Sequence, residues 1–141
     1  MYLIDTDVLS ELRKKDRADP GVRAFFARIE AEQAAIYLSV VTIGELRRGI
    51  EIIRHRGDGS QAVQLESWLE KILGDYQDCI LAFDVECAQT WGRLRVPHPE
   101  NALDRQIAAT ALIYGLTVVT RNERHYQGLG VGIFNPFGSP Q

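Results

Sequence analysis

The sequence has only two cysteines, Cys79 and Cys87. Neither has the CxxC spacing or the accompanying histidine that a zinc site requires, so both are expected to be reduced and buried. No apolar run reaches the roughly 18 residues of a membrane span, and no charged segment precedes an apolar one as in a secretory signal. The chain therefore reads as cytoplasmic, without membrane contact. It also lacks a charge excess: 16 Lys plus Arg against 19 Asp plus Glu leave a formal net charge of −3. That excludes the strongly basic balance of a constitutive nucleic-acid binder, so any nucleic acid must be held locally. Lysine is scarce, occurring at 14, 15 and 71 and nowhere later, and arginine supplies the remaining cations. Internal repeats, low-complexity tracts and Pro/Gly/Ser linkers are missing as well. What remains, 141 residues at 45% hydrophobic, fits one domain over 1–137 with a loose tail, Gly138-Ser139-Pro140-Gln141.

The chain is organised around its opening stretch, Tyr2-Leu3-Ile4-Asp5-Thr6-Asp7. An apolar run ends at an acid, and an amphipathic segment (Val8, Leu9, Leu12) starts at once, which predicts strand, acid, helix. In a parallel α/β sheet the carboxyl ends of the strands open onto the ligand crevice, so Asp5 faces a site. Thr6 or Asp7 is the expected helix cap; Asp5 stands one step too early for that role. Further along, Pro20 begins a helix carrying Val22, Phe25, Phe26 and Ile29 on one face. Residues 36–40 read as a strand. Helical periodicity runs from Val41 to Arg56, breaks at Gly57-Asp58-Gly59, and resumes to a C-cap at Gly74. A third strand covers 79–83, with Asp84 capping the next helix. His98 between two prolines sits in an extended loop. A small-residue helix spans Asn101 to Tyr114 and ends at Gly115. Residues 116–119 form a fourth strand and 132–134 an edge strand. Continuous apolar strands separated by helices predict a mostly parallel sheet of four or five strands covered on both faces, a three-layer α/β/α domain.

Two more acids belong near Asp5. Glu45 lies about one turn into the helix after strand two; the competing reading is a capping box with Thr42. Asp104 lies in the first turn of the small-residue helix, aligned with Ile107, Ala108 and Ala111, so it points at protein, where a lone carboxylate needs compensation such as a cation. Its alternative is an ordinary favourable acid at a helix N-terminus. Thr120-Arg121-Asn122, leaving the fourth strand, can orient water, phosphate or a carboxylate, or form a simple turn. Clustered carboxylates repel unless protonated or bridged, and hard oxygen donors select Mg²⁺ or Mn²⁺, ions suited to phosphoester hydrolysis. Among the nearby cations, which include Arg13, Lys14, Lys15, Arg48, Arg105 and Arg124, Arg47 and Arg121 are the candidate substrate contacts.

Leu3-Ile4-Asp5-Thr6-Asp7-Val8-Leu9-Ser10-Glu11, the stretch from Ser39 to Gly49 around Glu45, Leu103-Asp104 with the residues to Ala111, and Val118 to Asn122 resemble the successive signatures of PIN-domain ribonucleases, specifically VapC-type toxins of toxin–antitoxin pairs. Asn135-Pro136-Phe137 is similar to that family's ending. The resemblance implies Mg²⁺-dependent RNA cleavage, metal-binding acids at Asp5, Glu45 and Asp104, a site completed by Asn122 and supported by Thr120, an antitoxin partner and a homodimer. Two positions depart from the pattern. Asp7 stands where the family usually has Asn, and the fourth acidic position offers Asn122 and then His125, which leaves a second metal ion in doubt. Asp5-Thr6-Asp7-Val8 is also similar to the haloacid-dehalogenase phosphatase motif, with Asp5 as nucleophile. Such enzymes need a late lysine, and none follows Lys71. A non-catalytic interaction module with this fold is the third reading.

Overall fold

The computed structural model describes residues 1–97 and 99–138, and in it the short apolar runs rich in β-branched and aromatic residues become strands. The loop expected at His98 and the loose tail beyond Gly138 lie outside the described residues. Strand β1 is Tyr2–Ile4, β2 Ile36–Ser39, β3 Ile80–Leu81, β4 Thr117–Val119 and β5 Ile133–Phe134. Helices α1 (Thr6–Leu12), α2 (Pro20–Glu32), α3 (Val40–His55), α4 (Gly59–Asp75), α5 (Val85–Leu94) and α6 (Ala102–Tyr114) connect them. All pairings are parallel, in the order β3-β2-β1-β4-β5, with Leu3 opposite both Tyr37 and Val118. The sheet thus has five strands, and β1 lies at its centre.

Alternation along the central strands divides the core into two layers, because successive strand residues point to opposite faces. Ile4 and Val119 pack with α1 to α4 through Val8, Leu9, Val22, Phe25, Leu46, Ile50 and Leu69. Leu3 and Val118 pack on the other face with Ile107, Ala108 and Ala111 of α6 and with Tyr126. The small residues of α6 let it lie close to the sheet, which keeps Asp104 near the strand ends.

Local chemistry sets the boundaries. Asp19 caps α2 by accepting from the N–H groups of Gly21 and Val22, and Asp84 caps α5 through Cys87 N–H. Gly115, at φ 67°, ends α6 in the left-handed region that a side chain rarely occupies. At Gly21 a Cβ would overlap the carbonyl oxygens of Pro136 and Gly138, so the glycine lets residues 136–138 lie against the start of α2. Three expectations need correction. Gly74 does not end α4; with no special φ required, the helix continues to Asp75 and stops at Tyr76. The third strand is shorter than 79–83, because Gln77–Cys79 form a 3₁₀ turn. Cys87 is buried, but Cys79, in that turn, is only half-buried; both are free thiols.

Candidate active site

Asp5 ends β1, where its N–H donates to Val119 O at 2.9 Å and continues the ladder with β4. Contrary to expectation, Asp5 is itself the N-cap of α1: its backbone is extended (φ −74°, ψ 160°) and its Oδ1 accepts from Thr6 N–H at 2.7 Å. The helix starts one residue earlier than hydrophobic periodicity suggests, because nothing in that period marks Thr6 as outside it. Only 3% of Asp5 is exposed. Its Oδ2 accepts from the hydroxyls of Thr120 (2.8 Å) and Tyr126 (2.9 Å), two residues delivered by the far end of the chain.

Glu45 is not part of a capping box. Ser39 caps α3 by accepting from Val41 N–H at 3.0 Å, so Thr42 is buried in the first turn and Glu45 lies in the second. Its Oε1 accepts from the Thr6 hydroxyl at 2.8 Å, tying α3 to the start of α1. Asp7 reaches the other way, accepting from Val8 N–H at 2.7 Å and from Arg121 N–H at 3.0 Å. Asp104, in the first turn of α6, has its Oδ2 at 2.5 Å from His125 Nδ1. The loop after β4 is built on Thr120, whose Oγ1 accepts from Asn122 N–H at 3.0 Å while donating to Asp5. The Asn122 side chain itself is exposed. Asp5, Asp7, Glu45, Asp104, Thr120 and Asn122 therefore converge at the carboxyl ends of β1, β2 and β4.

Electrostatics reflect that crowding. Burial, and then the Asp7 charge, push the Asp5 carboxyl up to about 7 against the opposing bonds from Thr120 and Thr6. Burial also raises Asp7 and Glu45, each further raised by Asp104, while hydrogen bonds from Arg121 N–H and the Thr6 hydroxyl work against the rise. The Tyr126 hydroxyl is driven far upward by burial and by Asp5, so it is a hydrogen-bond donor at any working pH.

This donor set fits a hard divalent cation: every side chain is an oxygen donor, and bringing such a charge in would relieve both the desolvation and the mutual repulsion. Among the described residues, no group of three or more His, Cys, Asp or Glu is set to hold an ion as it stands.

The two candidate substrate arginines part company. Arg47 is ion-paired with Glu66 (2.6 Å) and Glu51 (3.3 Å), so its charge is already matched. Arg121 stacks on Phe137 with its guanidinium carbon 4.6 Å from the ring centroid. It also lines a polar cleft of about 670 Å³ with Asn122, Arg124 and His125. Two site residues escaped the sequence reading in these roles. Thr6 was legible only as a cap, and Tyr126, fully buried against Asp5, had no signal beyond being an aromatic soon after Asn122.

Comparison with known proteins bears on this arrangement. The family model described as the PIN domain matches residues 2–128. The toxin FitB of Neisseria gonorrhoeae is 33% identical over 143 residues, spanning 97% of this chain and 99% of its own. The VapC ribonuclease Y4jK of Sinorhizobium fredii is 31% identical over 144 residues, spanning 97% and 98%. A solved structure of FitAB bound to an IR36 DNA fragment superposes with a TM-score of 0.84 at 30% identity, covering 100% of this chain and 99% of that one.

Proposed function

Because the chain belongs to the PIN-domain family, with the VapC and FitB toxins among its relatives, we propose that it is the toxin of a toxin–antitoxin pair and acts as a metal-dependent endoribonuclease. Asp5, Glu45 and Asp104 hold Mg²⁺ or Mn²⁺, Asp7 adds charge beside them, and Asn122 completes the site. Held by these residues, such an ion would supply activation of water for attack and compensation of the negative charge on the phosphate. The observation that carries this reading is geometric: Thr6, next to Asp5, bonds Glu45, Arg121 N–H, next to the Thr120 that bonds Asp5, bonds Asp7, and His125, next to the Tyr126 that bonds Asp5, bonds Asp104, so four acids far apart in sequence gather at one end of the sheet.

The remaining groups keep the acids where they are needed. Thr120 and Tyr126 fix one oxygen of Asp5 and leave its carboxylate a single orientation. Thr6 does the same for Glu45. Backbone N–H groups of Thr6, Val8 and Arg121 stabilise negative charge on Asp5 and Asp7 without adding mobile side chains. Arg121 places positive charge at the mouth, where an approaching phosphate meets it before the acids. The partner is an antitoxin, as in the FitAB complex, and the protein is a homodimer. The bounds proposed for the nuclease unit are 1–137.

The phosphatase alternative is disfavoured: no lysine follows Lys71, which lies on α4. Incubating the protein with structured RNA and with p-nitrophenyl phosphate, each with Mg²⁺ or EDTA, separates the readings. RNA cleavage that needs Mg²⁺ and is lost in Asp104→Asn is the expected result. Release of phosphate through an acid-labile aspartyl intermediate, or inactivity on both substrates, overturns it.

A further inference from the structure

Several arginines already have a partner elsewhere in the fold. Arg47 and Arg54 pair with Glu51 and Glu66. Arg28 lies over Phe25 and Phe134, Arg95 over Trp91, and Arg121 over Phe137. One region differs. Arg13, Lys14, Lys15 and Arg17, at the end of α1 and in the 3₁₀ turn after it, line a cleft of about 570 Å³ with Lys71 of α4, and Trp68 forms part of its wall. Every lysine of the chain is therefore in this cleft. Lys14 is bonded to Glu11 at 2.9 Å. Arg13, Lys15, Arg17 and Lys71 have no ion pair among the described residues.

Like charges gathered in an acidic chain repel one another, and a polyanion relieves that repulsion. The cleft also leads somewhere. A smaller groove of about 170 Å³ shares Arg13, Leu65 and Trp68 with it and is also lined by Thr6 and Glu45. A site made of carboxylates repels phosphates, so attraction for RNA must come from outside it. Continuous with the site, this strip supplies positive charge and one half-buried indole.

We infer that a single strand of the RNA substrate lies along this strip, its backbone phosphates on Arg13, Lys15, Arg17 and Lys71 and a base against the Trp68 ring. The assignment rests on the nuclease reading above. Cations tracking a backbone with an aromatic platform are how single strands are held without regard to sequence. The acids then receive a phosphodiester already held on one side.

The test uses the full chain with Arg17→Ala and Lys71→Ala combined, since neither residue touches the acids or their hydrogen-bond partners. Cleavage of a single-stranded RNA is followed in Mg²⁺ over a range of salt, and affinity for the same RNA is measured in EDTA by fluorescence anisotropy. KM rises while kcat holds, and the slope of log affinity against log salt becomes shallower by about 1.4, at about 0.7 for each phosphate left without its cation. If wild type cuts RNA and the double variant shows the same KM and salt slope, the strip is overturned and the nuclease stands. If the variant loses affinity for the antitoxin and not for RNA, the cleft belongs to the protein partner and the inference is equally overturned. A wild type that neither cuts nor binds RNA overturns both.

Discussion

Removing the charge of Asp5 should stabilise the metal-free protein at neutral pH and above, although it takes away one of the proposed metal ligands. Asp5 is 3% exposed and its carboxyl is raised from 3.8 to about 7, so ionising it in the fold costs up to about 4 kcal/mol at about 1.4 kcal/mol per pKa unit. Between those two values the folded chain keeps a proton that the unfolded chain has released. Stability therefore falls as pH rises from about 4 to about 7 and levels off beyond. Asp7 and Glu45, also raised, push the same way. In Asp5→Asn the amide still accepts from Thr6 N–H, and its NH₂ faces two hydroxyls able to turn and accept. Urea denaturation in EDTA at pH 5, 6, 7 and 8 measures the difference: wild type loses stability toward pH 8, and the variant, which keeps only the Asp7 and Glu45 contributions, loses clearly less over that interval. Mg²⁺ at about 100 times its Kd adds about 2.7 kcal/mol to wild type at pH 8 and far less at pH 5, where protons compete for the same oxygens. Matching pH profiles for wild type and Asp5→Asn would refute the reasoning, because they would mean that Asp5 ionises freely in the fold.

Tyr126→Phe removes one donor to Asp5 inside the core and should cost about 1–3 kcal/mol at pH 8 and less at pH 5, where Asp5 is protonated, as read from the same denaturation curves. Arg47→Ala should leave RNA cleavage within a factor of about two and stability within about 1 kcal/mol, since exposed pairs with Glu51 and Glu66 contribute little. Gly21→Ala should displace residues 136–138 from the start of α2 and break the bond from Gly138 N–H to Asp19; faster proteolysis of the C-terminal segment together with a lower Tm would show it.

Much of the fold was legible because its signals are local. Alternating apolar strands and helices, Asp84 before Val85, and Gly115 after Tyr114 each carry their own physical cause, and the structure has them where the residues said. Around the site, the errors lie where a residue has two roles. Asp5 both caps α1 and belongs to the acid cluster, so a reading that separated caps from site residues had to misplace it. Thr42 and Glu45 satisfy the spacing of a capping box, yet Ser39 had already taken the cap, a choice the spacing alone does not decide. The convergence of Asp5, Glu45 and Asp104 was expected from topology. Tyr126 was not, because its importance comes from a contact with a residue at the opposite end of the chain, and no local pattern records that.

The sheet order has a consequence for incomplete chains. Asp5 is synthesised 115 residues before Thr120 and 121 before Tyr126. Until both arrive, β1 has no neighbour on its β4 side, and the carboxyl group lacks the hydroxyls that steady it. A translation product that stops short of that point lacks both hydroxyls on Asp5 and the β4 side of the sheet, so the acid cluster is completed only when the last fifth of the chain has been made.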